Sequence, residues 1–306
     1  QRTNTWILDQ WYDQGVAGTQ GLEGLLPTIE FWSWGYNGYG GLGQNNTTQY
    51  SSPVQIPGSW SASRFKTDGP APYEGQMNVG AQQGGIVKTN GSLWYCGSAS
   101  MGTSGLNNTT QYSSPMQVGT DTNWSPQISG TLVSIARKTD GTLWSWGRND
   151  YGQAGQNNLT KYSSPMQVGT DTTWNYINSF GQCSAGTKTD GSLWWWGVNE
   201  KGSSGIPAIS HTAKRSSPTQ VGNTGDWTDH QGFAFCRSIL SGCIKSNGSL
   251  WTWGSNGGPN LPQRTGALGH NNGTEYSSPT QVGTGTDWKS FNWGNENAGF
   301  GIKTDG

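Results

Sequence analysis

Histidine is the side chain that most often performs acid–base chemistry near neutral pH, and this chain has only three, His211, His230 and His270. They occupy different positions within a repeated sequence motif, and only His270 falls in a loop that recurs. Catalysis needs groups of different types that converge at one point. The glycine-rich runs also lack the spacing of a phosphate-binding loop. We therefore predict a protein that is not an enzyme and has no metal site and no cofactor.

Aspartate recurs at one position of the repeated sequence motif. Asp140, Asp190 and Asp305 each precede a glycine, and Asn90 and Asn247 take the same place in two other copies. A catalytic or metal-binding carboxylate would not tolerate that replacement, whereas Asp-Gly and Asn-Gly both accept the positive φ angles of a tight hairpin. We interpret these aspartates as turn residues.

The four cysteines lack the short paired spacing of a zinc site. Cys96 takes the place that tryptophan holds in the other copies, so we expect it in the core. Cys236 and Cys243 are either a disulfide pair or buried thiols, and the latter interpretation is favoured. The redox compartment therefore stays undetermined.

The sequence repeats with a period of about 50 residues, as the spacing between Lys138 and Lys188 shows. The structure formed by this repeat must position these side chains. The full motif has an Asp-Gly or Asn-Gly turn, a Leu-Trp-x-Trp-Gly strand, a glycine-rich run, an Asn-Asn loop, a Ser-Ser-Pro segment before a strand, and a strand that opens with Trp. The first copy lacks the turn, and the fourth lacks the Asn-Asn pair. Three or four short strands per repeat are typical of a propeller blade. We predict an all-β fold, a β-propeller of about five repeats spanning residues 31–306.

The two ends of the repeat region are complementary halves of one hairpin. The first copy opens at Phe31 on a Trp-Gly strand, and the last stops at Lys303 and Thr304, before such a strand. Pairing of the strand before Lys303 with the strand at Phe31 would close a ring and leave no sheet edge open. Truncation of a further copy is the alternative. Because the chain begins at Gln1, without Met or a signal peptide, we expect a processed or partial chain.

Residues 1–30 stand outside the repeat and form a separate segment. Their apolar spacing predicts a short amphipathic helix, with Trp6, Ile7, Trp11 and Tyr12 as candidate attachment residues. This segment either packs on the propeller or mediates attachment or homo-oligomerisation, since exposed tryptophans on a terminal helix are unfavourable in water.

The composition argues against two classes of partner. Charged residues are 11% of the chain and the formal net charge is −1, so there is no basic surface for nucleic acid. No apolar run reaches the 18 residues of a membrane-spanning helix. The 18 tryptophans and 49 glycines instead indicate aromatic rings packed between closely turned strands.

The Asn-Asn-x-Thr-x-Tyr loop is the repeated surface feature and the candidate binding site. Amides both donate and accept hydrogen bonds, which suits a protein or a glycan partner. The alternative is that Asn serves the turn and Tyr packs between blades. The candidate residues are Asn45, Asn46, Tyr50, Asn107, Asn108, Tyr112, Asn157, Asn158, Tyr162, Asn271, Asn272 and Tyr276.

The Trp-Gly strand, the Gly-x-x-Gly run, the Ser-Pro-x-x-Val segment and the glycine-rich return strand resemble the regulator of chromosome condensation repeat. That resemblance implies a β-propeller, usually of seven blades, although the Gly-x-x-His of the family is absent here. Near-identical copies look most like arrays from environmental bacteria and their phages. We expect a non-catalytic structural or adhesion propeller, extracellular or on a virion surface. The alternatives are a guanine-nucleotide exchange factor-like module, which the family resemblance implies, and a glycan-binding lectin.

Overall fold

The computed structural model describes residues 30–60, 78–80, 83–207, 213–227, 233–236, 239–256, 266–293 and 299–304. The predicted helix of the N-terminal segment lies outside the described residues. So do the side chains of Trp6, Ile7, Trp11, Tyr12, His211, His230, Cys236 and Asp305.

The described residues form an all-β propeller, as the repeat predicts. Its complete blades are four antiparallel sheets of four strands, each ordered as in the sequence, and two further sheets have two strands each. Short 3-10 turns at Ser100–Gly102 and Glu200–Gly202 follow two of the strands. The described part of the chain contains no helix with the length and hydropathy to cross a membrane.

The strands are numbered in chain order. The first half-blade has β1 (Phe31–Gly35) and β2 (Tyr50–Ile56). Blade I has β3 (Asn78–Gly80), β4 (Gln83–Val87), β5 (Leu93–Gly97) and β6 (Tyr112–Gln117), and blade II has β7 (Trp124–Ser129), β8 (Val133–Lys138), β9 (Leu143–Gly147) and β10 (Tyr162–Gln167). Blade III has β11 (Trp174–Phe180), β12 (Cys183–Lys188), β13 (Leu193–Val198) and β14 (Lys214–Val221). Blade IV has β15 (Phe233–Cys236), β16 (Leu240–Ile244), β17 (Leu250–Gly254) and β18 (Tyr276–Gln281), and the last half-blade has β19 (Trp288–Trp293) and β20 (Gly299–Lys303).

The predicted Asp-Gly hairpin joins the second and third strands of each complete blade. In blade II the N–H of Gly141 donates to the carbonyl of Lys138, and the N–H of Lys138 donates to the carbonyl of Thr142. The outermost strand begins earlier than the sequence predicts, because β10 already starts at Tyr162 and includes Pro165. Proline has no N–H to donate, and it is tolerated there because β10 is an edge strand.

The core lies between successive blades, whose first strands are neighbours: β11 contacts both β7 and β15, and β15 also contacts β19. Between blades I and II, Tyr95 and Val118 of one blade pack with Trp124 and Trp146 of the next. Trp144 and Trp146 are two residues apart on β9 and therefore lie on one face of the sheet. Both pack edge-on against Trp124.

The predicted pairing of the first and last strands is not formed. Among the described strands, β1 pairs only with β2, and β20 pairs only with β19. Consequently Trp34 is 60% exposed and Phe300 is 67% exposed, whereas Trp146, the counterpart of Trp34, is 1% exposed. The physical reason is that ring closure depends on the angle between successive sheets, which the periodicity of the sequence does not encode.

Three of the four cysteines are buried thiols, Cys96, Cys183 and Cys243. Cys96 is confirmed as a core residue, 2% exposed, and its Sγ lies 3.4 Å from the carbonyl oxygen of Gly41. Burial raises the pKa of the Cys96 thiol to about 12. Cys243 is also a buried thiol, as the favoured interpretation predicts.

Candidate binding surface on the blade loops

The first asparagine of each candidate loop adopts a left-handed backbone conformation. The four residues are Asn45, Asn107, Asn157 and Asn271, with φ angles of 57°, 58°, 57° and 55°. Asparagine visits this region more readily than other residues with a side chain. All four side chains are exposed, so the turn accounts for the residue type while the amides stay at the surface.

The second asparagine holds the loop together. In blade II the side-chain amide N–H of Asn158 donates to the hydroxyl of Tyr162 at 3.1 Å, and its Oδ1 accepts the N–H of Thr160 at 2.9 Å. The same amide-to-phenol bond joins the other pairs, Asn46 with Tyr50, Asn108 with Tyr112 and Asn272 with Tyr276. The structure thus brings each predicted Asn–Tyr pair together and places each pair in a different sheet. The role of these residues in binding stays a prediction.

A buried asparagine that was not predicted from the sequence holds the same loop through hydrogen bonds from inside the blade. Asn149 is fully buried; its Oδ1 accepts the N–H of Ala154 and its Nδ2 donates to the carbonyls of Asn158 and Thr160. The signal was a recurring Trp-Gly-x-Asn pattern. Its counterparts, Asn37, Asn199 and Asn256, are also buried.

Asp140 and Asp190 are turn residues, as predicted. Asp140 Oδ1 accepts the N–H of Thr142 at 3.0 Å and its hydroxyl at 2.7 Å, and the indole N–H of Trp144 donates to that hydroxyl at 2.9 Å. Asn90 makes the same two bonds to Ser92. Because an amide oxygen serves as well as a carboxylate, the position needs an acceptor and not a charge. The bonds from Thr142 lower the pKa of Asp140.

A lysine clamp, also missed from the sequence, ties the hairpin to the first strand of the same blade. In blade III the Lys188 ammonium lies 3.8 Å from the ring centre of Trp194 and 5.1 Å from that of Trp174, and it pairs with Asp171 at 2.5 Å. Cation–π attraction and the ion pair act on the same ammonium. Lys138 and Lys245 make the same arrangement in blades II and IV.

His270 has a structural position in blade IV. Its Nε2 lies 2.9 Å from the hydroxyl of Thr252. At the equivalent position of blade II, Gln156 donates to the hydroxyl of Ser145. Burial lowers the pKa of His270. Since the same position is a glutamine in blade II, its role is to support the loop, and no acidic partner that would activate it is in hydrogen-bond contact among the described residues.

The described residues hold no group of three or more His, Cys, Asp or Glu side chains arranged to bind a metal ion. Their polar side chains serve turns, loops and clamps inside each blade. What the arrangement offers chemically is a rim of rigid, regularly repeated polar loops, which is suited to recognition.

Two stretches of the chain match the model of the regulator of chromosome condensation (RCC1) repeat, residues 30–65 and 140–188. No curated protein matches the chain in sequence. The two matched stretches carry the Trp-Gly strand on which the predicted resemblance rests, and that resemblance is confirmed.

Solved structures show the same fold. Human WBSCR16 superposes with a TM-score of 0.63 at 20% identity, over 85% of this chain and 64% of its own. Prp20p from Saccharomyces cerevisiae, described with its binding properties to Gsp1p and histones, gives 0.66 at 19% identity, over 90% and 65%. Yeast RCC1 (Prp20) in the structure with Kap60 gives 0.66 at 20% identity, over 90% and 62%. The chain thus spans less than two thirds of each of these proteins.

Proposed function

We propose that this chain, a propeller of regulator of chromosome condensation repeats, is a non-catalytic protein-binding scaffold. The observation that carries the proposal is the rim of four loops, each of which holds an exposed asparagine in the same left-handed conformation. A rigid surface loses little conformational entropy on association. The solved likenesses support it, because Prp20p is described as binding Gsp1p and histones, and yeast RCC1 is seen bound to Kap60.

The proposed setting is the outside of a cell or a virion, where the propeller serves as a decoration or adhesion module. The low charge, the polar Asn, Thr and Ser loops and the near-identical copies support this setting. Residues 1–30 are the proposed attachment or oligomerisation segment. Deleting residues 1–30 should abolish retention on the particle or cell, and unchanged retention would refute the attachment role.

The protein-binding role is tested by site-specific photo-crosslinking in the native producer. A photoreactive side chain in place of Leu159, which is 51% exposed on the loop rim of blade II, should form a crosslink to one defined protein. The control position is Thr189, exposed in the hairpin turn at the opposite end of the blade III strands. Equal crosslinking at both positions, or none at Leu159, would contradict a rim interface.

A guanine-nucleotide exchange factor is the second candidate, favoured by the fold likeness to Prp20p. The irregular stretches at residues 61–76, 206–215 and 256–266 are the proposed contact regions, because they break the repeat. Purified chain should then accelerate release of labelled nucleotide from a small GTPase. A panel of GTPases without any acceleration would remove this candidate.

A further inference from the structure

A groove of about 500 Å³ lies between blades II and III. Blade II contributes the loop that contains Gln156 and Asn157, and blade III contributes two indole rings, Trp174 and Trp194, with Ser217 on its outer strand. Sites of a few hundred Å³ that combine aromatic walls with a small number of polar groups are typical of small-ligand pockets.

Trp174, one of the lining residues, is almost wholly buried. It is 2% exposed, and its Nε1–H has no hydrogen-bond partner among the described residues. Its counterparts Trp124 and Trp227 share this unpaired donor, whereas Trp60 donates to the carbonyl of Ile56 at 3.0 Å. The donor therefore recurs between blades, and the feature that distinguishes this groove is its polar rim.

The polar side chains at the rim of this groove are not bonded to each other among the described residues, unlike those at the preceding junctions between blades. At the preceding junctions the amide oxygen of Asn107 accepts the hydroxyl of Ser164 at 3.2 Å, and that of Asn45 accepts the hydroxyl of Ser114 at 2.8 Å. The side chains of Asn157 and Ser217 make no such bond among the described residues, and both are exposed. Amide and hydroxyl groups therefore face a ligand in this groove with their donors and acceptors unused.

The charge of the groove is balanced. Lys188 and Asp171, its charged lining residues, are paired with each other. A ligand of high charge of either sign would have to break that ion pair. An aromatic wall beside unused amide and hydroxyl groups, without net charge, fits a ring that has one apolar face and several hydroxyl groups.

We propose that this groove binds a neutral saccharide unit. The apolar face of the sugar lies against the half-buried indole of Trp194, while its hydroxyl groups bond to the Asn157 amide and the Ser217 hydroxyl. The site gives the predicted glycan partner a location that differs from the Asn–Tyr pairs, since those pairs are bonded to each other. It shares Asn157 with the loop rim that is proposed as a protein interface, so the two roles are tested by separate measurements.

The test begins with a glycan array probed with the full chain, followed by calorimetric titration of the free neutral saccharide that gives the strongest signal. The double variant Asn157→Ala/Ser217→Ala should lose at least tenfold in affinity, because it removes the amide and the hydroxyl that bond to the sugar. Asn107 has the same left-handed backbone as Asn157, so the strain of alanine is equal in the variant and in its matched control. The matched control is Asn107→Ala/Ser164→Ala at the preceding junction, which should bind as the wild type does.

Three outcomes would overturn the proposal: no array signal for any neutral saccharide, unchanged affinity in the Asn157/Ser217 variant, or equal losses in both double variants. Trp194→Phe provides a second readout, since it keeps an aromatic wall but shortens it, and it should weaken binding less than the double variant. Crosslinking from Leu159 is a separate measurement, so failure of the saccharide site and failure of the protein interface are distinguishable.

Discussion

The indole N–H of Trp196 in blade III donates at 2.8 Å to the carbonyl oxygen of Gln153 in blade II. The same oxygen accepts the hydroxyl of Ser184 at 2.9 Å. Trp146 and Trp253 make the corresponding bond to the blades that precede them. This bond, together with the burial of the ring, joins one blade to the next, and it explains why the Trp-Gly strand dominates the repeat.

Trp196 and Trp34 occupy the same position in two copies but should differ in their effect on stability. Trp196→Ala removes a fully buried ring and leaves a cavity, which costs about 3–5 kcal/mol. Trp34→Ala should cost about 0.5 kcal/mol, because the ring is 60% exposed. Urea unfolding followed by circular dichroism measures both. Equal costs would mean that Trp34 is buried in solution, as a closed ring requires.

Asp190 should tolerate replacement by asparagine but not by alanine. Its Oδ1 accepts the N–H and the hydroxyl of Ser192, and Asn247 makes both bonds to Ser249 in blade IV. We expect Asp190→Asn to be close to neutral and Asp190→Ala to lose about 1 kcal/mol. The thermal unfolding midpoints of the two variants check this. A large loss in Asp190→Asn would mean that the charge matters.

Asp171 should make the stability of the chain sensitive to acid. Burial opposes its ionisation, but the hydrogen bonds from Lys188 and Thr173 outweigh that effect and lower its pKa to about 2. A carboxyl with a lowered pKa stabilises the fold above its unfolded pKa, and this contribution is lost as the pH falls from about 4 towards 2. The difference in stability between wild type and Asp171→Asn should therefore shrink across that window. A constant difference in urea midpoint from pH 6 to pH 2.5 would contradict the clamp.

His270 should add a second pH effect, at higher pH. Burial lowers its pKa below the ordinary value of 6.5 in the folded chain. The unfolded chain therefore binds the proton more readily, so stability falls as the pH drops through about 6.5 towards the folded value. His270→Gln should remove this loss, because glutamine holds the same position in blade II. Parallel pH profiles of the two proteins between pH 7 and 5 would show that His270 is not the titrating group.

Local features of the site were predictable, and the contacts between distant positions were not. The exchange of Asp190 for Asn247 predicted a turn acceptor, and the replacement of tryptophan by Cys96 predicted a core position. The lysine clamp was missed because Lys188, Asp171 and Trp194 are separated in sequence and meet only when three strands pair. Asn149 recurs in the Trp-Gly-x-Asn pattern, but its burial was missed because a polar residue beside a turn is ordinarily exposed.

The sequence alone determined the blade. Its turns and strand alternation act over a few residues, so the Asp-Gly hairpins and the tryptophan faces follow directly from neighbouring residues. Only the tertiary structure decided how blades are placed relative to one another, because bonds such as that from Trp196 to Gln153 join residues 43 positions apart. Among the described strands those contacts leave β20 unpaired with β1, although the period of the repeat is compatible with a closed ring.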